Sequence, residues 1–180
     1  MIITISGTLG SGEKSVAKIL ARRLKIPHHS GGSFIRNIAE RKDIPLHKFT
    51  KIAEKDPSID HELDQMIAEH GEAKNSFIID AKLGFHFIPR SVKIFLDTDF
   101  KERVRRRFVS DMKKEHNVTM ESTAEKLKCI HDSDLDRFKR KYGIDFTNSK
   151  NYDFVVDTTG LSLQEVADRV ENFLKAEGHI

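Results

Sequence analysis

The chain alternates short runs of apolar, mostly β-branched residues with longer stretches in which apolar positions return every three or four residues. The first run, Ile2 to Ser6 (IITIS), has the look of a buried parallel strand, because short apolar runs that feed helices are covered on both faces. Gly7, Gly10 and Gly12 interrupt it, and Val16, Ala17, Ile19, Leu20 and Leu24 then share one helical face. His28 to Ser30 reads as a short second strand closed by Gly31 and Gly32. Helices are predicted over Phe34 to Arg41 and Leu46 to Lys55. Another opens at Asp56-Pro57-Ser58, an acid cap with proline in the first turn, runs to about His70 and stops at Gly71. Phe77 to Asp80 (FIID) and Lys93 to Asp97 (KIFLD) are two further strands that end in an acid. Phe100 to about Lys114 is a basic helix, and Met120 to Tyr142 a long charged one stopped by Gly143. Asp153 to Asp157 (DFVVD) is a fifth strand. Leu163, Val166, Val170, Phe173 and Leu174 mark a closing amphipathic helix. Strands separated by helices predict a three-layer α/β fold, a five-stranded parallel sheet flanked by helices. No domain boundary interrupts it, so residues 1–180 form one domain. The helices between Phe34 and Gly71 stand as an insertion between strands, suited to a mobile flap.

Composition agrees with one soluble core: 180 residues, 38% hydrophobic and 33% charged. A net charge of +3 gives no bulk argument for nucleic acid. The basic runs KERVRRR (Lys101 to Arg107) and RFKRK (Arg137 to Lys141) suit either a polyanionic ligand or solvated helix faces. The run at Arg105 to Arg107 lacks interleaved aromatic residues, so an RNA contact is not expected. Cys129 is the single cysteine, which excludes an internal disulfide and fits a reducing compartment. The opening MIITISG lacks a basic leader and a cleavage site, and no apolar run approaches a membrane span. A cytoplasmic protein is expected. His28, His29, His61, His70, His86, His116 and His131 lack ligand-like spacing and read as packing or surface residues.

The most specific local feature is GTLGSGEKS, Gly7 to Ser15. A phosphate-binding loop reads G-x-x-x-x-G-K-[ST] between strand and helix. Its backbone N–H groups and the helix N-terminus hold phosphate oxygens, its lysine reaches the β- and γ-phosphates, and its hydroxyl holds magnesium. Here Glu13 follows Gly12, and Lys14 and Ser15 come one place late. One residue rotates a helical side chain by roughly 100°. Either the loop is one residue longer and presents Lys14 and Ser15, or the lysine is lost and Glu13 faces the site. The anchors Val16 and Ile19 favour the second. A carboxylate about 4 Å from a phosphate charge is repelled by roughly 4 kcal/mol at an effective dielectric of 20.

Taken whole, the chain resembles the archaeal-type cytidylate kinases and their bacterial relatives. The resemblance rests on ISGTLGSG (Ile5 to Gly12), VAKILA (Val16 to Ala21), SGGSFIR (Ser30 to Arg36), AEKDPSID (Ala53 to Asp60), FIIDAKLGFHF (Phe77 to Phe87) and SDLDRFKRKYGID (Ser133 to Asp145). It implies a phosphate-loop NTPase fold with a monophosphate-binding flap and a lid, and transfer of the γ-phosphoryl group of ATP to CMP or dCMP with magnesium. It also implies roles. Gly7, Thr8, Gly10, Ser11, Gly12, Glu13, Lys14 and Ser15 would surround ATP, with Arg103 and Arg106 from the lid. Ser30, Arg36, Lys82, Asp134 and Arg137 would hold the monophosphate, Ser15 and Asp80 the magnesium. Lys14 and Arg137 would act in catalysis.

The departures from the family pattern are Glu13, Ser33 in place of an aspartate, Lys82 in place of an arginine, and Ile130 where a lid arginine belongs. Phosphoryl transfer depends on positioning and charge neutralisation, so the loss of cations predicts a slow or inactive enzyme. The alternative is a non-catalytic nucleotide-binding relative that serves as a sensor or partner protein. A monomer is expected.

Overall fold

The computed structural model describes residues 1–53, 56–113 and 118–180. Five parallel strands, β1 (Ile2–Gly7), β2 (His28–Ser30), β3 (Phe77–Asp80), β4 (Val92–Asp97) and β5 (Phe154–Asp157), form a sheet in the order β2-β3-β1-β4-β5. The central strand β1 lies against both β3 and β4, with Ile5 opposite Asp80 and Gly7 opposite Leu96. The C-terminal ends of β1, β2 and β3 therefore open on the same edge of the sheet.

Side-chain alternation along β1 separates two cores. Ile3 and Ile5, with Ile78, Ile94 and Val156, pack under α1 (Glu13–Leu24) and α8 (Leu163–Ala176). On the other face, Ile2, Phe77 and Ile79 meet Ile67 of α4 (Pro57–Ala73) and Ile88. Beside them an aromatic cluster joins Phe95 of β4, Phe85 of α5 (Gly84–Phe87), Phe138 of α7 (Met120–Tyr142), Phe146 and Tyr152. Between β2 and β3 the chain runs through α2 (Gly31–Arg41), α3 (Leu46–Ala53) and α4, whose own core is Ile38, Ala39, Phe49 and Ile59. The remaining helix, α6 (Phe100–Asp111), follows β4.

Two predicted boundaries change for local reasons. Gly71 lies inside α4, which continues to Ala73. A Cβ at Gly71 would sit 2.8 Å from Ile88 Cγ1, so this glycine permits a close approach instead of stopping a helix. Gly31 and Gly32 begin α2 instead of breaking the chain; Ser33 Oγ donates to Ser30 O at 2.5 Å and turns the strand directly into the helix. The short α5 has too few residues to show a period. Elsewhere the predicted ends hold closely: Asp56 caps α4 by accepting from Ser58 N at 3.0 Å, and Gly143 closes α7 at φ 70°. The predicted helix ends at Lys55 and Lys114 lie outside the described residues, as does His116.

Phe146 is 1% exposed within the aromatic cluster of Phe85, Phe95, Phe138 and Tyr152. Phe146→Ala should lower unfolding free energy by about 3–5 kcal/mol, measured by urea denaturation. A loss under about 1 kcal/mol would show that this aromatic cluster is not a continuous core.

Candidate active site

The loop after β1 is shaped by close approaches. A Cβ at Gly7 would lie 2.4 Å from Ser11 Oγ and 2.9 Å from the Leu96 carbonyl oxygen. Gly10 and Gly12 adopt φ of 98° and 95°, in the left-handed region open to glycine. Gly10 also rests on the backbone of Arg103. Ser11 N–H closes the turn on Thr8 O at 2.9 Å, and Ser15 and Val16 N–H both donate to Gly12 O at 3.0 Å. Helix α1 thus starts at Glu13, its register held by Val16 at 0% and Ile19 at 8% exposure.

That register turns Glu13 inward and leaves Lys14 and Ser15 exposed. Glu13 Oε2 accepts from Ser11 Oγ at 3.0 Å, and the carboxylate also takes its own backbone N–H. It thereby occupies the nest of donors that a phosphate oxygen would use. Burial pushes this carboxyl above its ordinary range. The two donors and the nearby Lys82 charge pull it back, and Asp80 adds to the rise.

Glu13 forms one wall of a cavity of about 420 Å³. The other walls are Gly31, Gly32 and Ile35 of α2, Asp80 at the end of β3 with Ala81 to Leu83 beyond it, Asp60, Leu63, Asp64 and Ile67 of α4, and Ile130, Asp134, Arg137, Phe138 and Tyr142 of α7, with Phe49 and Phe87. Its charged groups are paired in a chain. Lys82 Nζ bonds Asp134 Oδ2; Asp134 Oδ1 accepts from Arg137 at 3.1 Å; Arg137 donates to Asp60 Oδ1 at 3.0 Å. Lys141 lies 3.7 Å from Asp60 and 3.3 Å from Asp64, and the Tyr142 hydroxyl donates to Asp64. Burial raises the Asp64 carboxyl, and burial together with Asp64 raises the Tyr142 hydroxyl.

The sequence-predicted residues divide into groups. Glu13, Asp80, Lys82, Asp134 and Arg137 line the cavity together. Asp80 is held by His28 Nε2 on one oxygen and by Ser30 Oγ at 2.9 Å on the other. Ser30 therefore orients an acid, and His28, expected to be packing or surface, is a site neighbour. Arg36 is exposed and close to Gly32 on the cavity wall, with no hydrogen bond or ion pair to a described residue. Arg106 is committed to the fold: it donates to Thr158 Oγ1 at 3.0 Å, Thr158 O at 2.7 Å, Glu102 at 2.8 Å, and more distantly to Ser11 O and Leu161 O. Arg103 lies with its guanidinium 5.1 Å from the Phe100 ring, its Nε buried and unpartnered, and burial lowers its pKa. Buried Thr8 Oγ1, like Arg103 Nε, has no partner among the described residues. The basic runs are largely neutralised within the chain: Arg105 and Arg106 meet Glu102, Arg107 meets Asp111, and Arg137 and Lys141 meet α4.

The sequence reading missed Asp60, Asp64, Lys141 and Tyr142. The available signal was spacing: Asp60 and Asp64 share a face of α4, and Asp134, Arg137 and Lys141 share a face of α7. Nothing in spacing alone says that the two faces meet.

The backbone cradle has the shape for a phosphate group, but the cation normally paired with it is replaced by the chain's own carboxylate. A phosphate placed there would meet the Glu13 carboxylate unless that side chain withdrew. For magnesium, which is commonly held by one or two carboxylates together with substrate phosphates, Asp80 has the chemistry; Ser15 faces solvent. No cluster of three or more histidine, cysteine or acidic ligands exists among the described residues.

Residues 2–160 match the cytidylate kinase-like family. A cytidylate kinase of Methanothermobacter thermautotrophicus is 32% identical over 158 residues, covering 88% of this chain and 95% of that protein. One of Halobacterium salinarum is 31% identical over 172 residues, covering 94% and 87%. A Lacinutrix mariniflava protein named S-adenosylmethionine-dependent nucleotide dehydratase is 32% identical over 178 residues; they cover 97% of this chain, which spans only 36% of that relative's length. Among solved structures, an uncharacterized protein of Eubacterium ventriosum superposes with TM-score 0.74 at 19% identity, covering 97% and 98% of the chains. Shikimate kinase of Aquifex aeolicus superposes with TM-score 0.61 at 16% identity, covering 99% and 98%. These two likenesses show the fold, a five-stranded parallel sheet flanked by helices.

Two measurements follow from Glu13. Its raised pKa means that the stability it contributes is full below the ordinary value of 4.5 and is lost as pH rises through the folded value. Glu13→Gln should therefore be more stable than the parent at neutral pH and equal to it in acid. An unchanged difference in urea midpoint across that range would contradict the burial of the charge. The double variant Glu13→Lys with Lys14→Ser restores a loop reading G-K-S and should bind ATP with magnesium at least about tenfold more tightly, a gain above about 1.4 kcal/mol. Weaker binding in a titration would make Lys14 the working lysine.

Proposed function

This chain belongs to the cytidylate kinase-like family, and from that premise we propose that it is an ATP-dependent kinase of CMP or dCMP, slowed by its altered phosphate loop. The observation that carries the reading is the single cavity in which Glu13 of the loop, Asp80 of β3, Lys82 and the Asp134–Arg137 pair face one another. ATP supplies the phosphoryl group when bound, and magnesium neutralises its charge. The chain's own residues position and neutralise. Arg36, unpaired among the described residues, is placed to meet the monophosphate at the mouth. Arg137 and Lys82 can exchange their acid partners for phosphate oxygens. Asp80, fixed by His28 and Ser30, presents its carboxylate on the magnesium side. Arg103 lies beside Gly10, where its side chain serves the ATP end. Helix α7 and the α2–α4 segment enclose the acceptor and exclude water, which would otherwise hydrolyse ATP. No strong base is needed, because alignment and charge compensation set the rate. The protein acts as a cytoplasmic monomer on a small nucleotide, without nucleic acid or membrane; no described helix is long and apolar enough to cross a bilayer.

A second reading is favoured by the Glu13 carboxylate in the cradle: nucleotide binding without turnover. The name of the Lacinutrix relative also allows for a nucleotide-handling role beside another activity. ADP formation coupled to CMP, measured beside calorimetry, separates the readings. Slow, CMP-dependent ADP formation supports the kinase, and binding without turnover selects the second reading. AMP or shikimate as best acceptor would overturn the cytidine assignment. Arg36→Ala should raise the KM for the monophosphate or lower kcat by about tenfold or more, as expected for loss of a charge-assisted phosphate contact. Unchanged kinetics would place Arg36 outside the site.

A further inference from the structure

Four aspartates line the cavity, and three have both carboxylate oxygens engaged. Asp80 takes His28 and Ser30, Asp134 takes Lys82 and Arg137, and Asp60 accepts from Arg137 on Oδ1 with Lys141 as an ion pair 3.7 Å from Oδ2. Asp64 differs. Both of its donors, the Tyr142 hydroxyl and Lys141 Nζ at 3.3 Å, go to Oδ2. Its Oδ1 accepts from no described residue, and Asp64 is one of the residues that line the cavity. The side chain is 15% exposed, with Leu63, Ile67 and Phe87 among the apolar cavity walls. A carboxylate oxygen left open in such surroundings calls for a donor from the ligand.

Its position along the cavity says which part of the ligand. Asp134 marks the end beside Lys82, and Tyr142 lies eight residues further along α7, about 12 Å at 1.5 Å per residue. That is roughly the reach of a nucleoside monophosphate from its phosphate to the far edge of its base. Cytosine presents an amine donor at that edge, and uracil a carbonyl acceptor. An amine satisfies Asp64 Oδ1, whereas a carbonyl would face a carboxylate with no proton between them.

We propose that Asp64, held in place by Tyr142, reads the exocyclic amine of the pyrimidine and selects cytosine over uracil. This rests on the assignment of the cavity as the monophosphate site.

Calorimetry of the full chain with CMP and UMP tests it. The parent should bind CMP at least about tenfold more tightly, since a site built to pair a donor rejects the analogue lacking it. The monophosphate of the pyrimidin-2-one riboside, which lacks the amine, should bind as weakly as UMP, and this arm needs no variant. Asp64→Asn, whose amide can turn its NH2 towards O4, should bring CMP and UMP within about threefold of each other. Tyr142→Phe should weaken both but keep the preference. Equal binding of CMP, UMP and the pyrimidin-2-one analogue by the parent overturns the proposal and leaves the nucleotide site standing. An equal loss for CMP and UMP in Asp64→Asn shows a strut between α4 and α7 and also overturns it. Absence of any monophosphate binding removes the site assignment itself, and this proposal with it.

Discussion

Asp134 holds Lys82, just beyond β3, on one oxygen and Arg137 of its own helix on the other, and Arg137 reaches on to Asp60 of α4. These contacts tie the sheet edge, α7 and the inserted helices into one cage. Such a chain is costly to interrupt, because removing one member leaves a partly buried charge without its partner. It also governs how the cavity can receive an anion. Two cations on its walls are already paired with the protein's own acids, so an anion received there would have to displace them and not simply add. Under the proposed function, binding and the relative placement of α4 and α7 would be linked, since a ligand that takes the Arg137 guanidinium acts on the contact that joins them.

The altered loop follows the same pattern of internal compensation. Glu13 meets the Ser11 hydroxyl and its own N–H, so donors that would otherwise seek a phosphate are satisfied within the chain. The cradle keeps its form because the glycines and the helix register impose it. What differs is the charge it presents, because a partly desolvated carboxylate holds the place.

The fold was legible wherever the pattern was local and repeated. The β-branched run of β1, the apolar stripe of α1 and the charged length of α7 each carry their own signal, and strand–helix alternation then leaves few topologies. Gly71 was misread because the sequence shows a glycine but not Ile88 packed against it. The candidate site was legible in two unequal parts. The loop is contiguous, so Glu13 and its displaced lysine could be read directly. Asp80, Lys82, Asp134 and Arg137 were singled out by likeness to a family, and the cage itself by nothing at all: Arg137 and Asp60 lie 77 residues apart. Two helix faces each with suitable spacing are common, and only tertiary packing says which pairs of faces meet.

Arg106 offers a wider lesson. Its guanidinium ties the Ser11 carbonyl in the first strand-to-helix loop to Thr158 and Leu161 in the last. The path of the glycine-rich turn is thus braced from across the sheet, by a residue outside the motif. A turn held by an external buttress keeps its shape whatever charge its own side chains bring, so its geometry and its chemistry are separable properties. Glycine spacing then reports the architecture of such a loop, while the residue after the last glycine reports its trade.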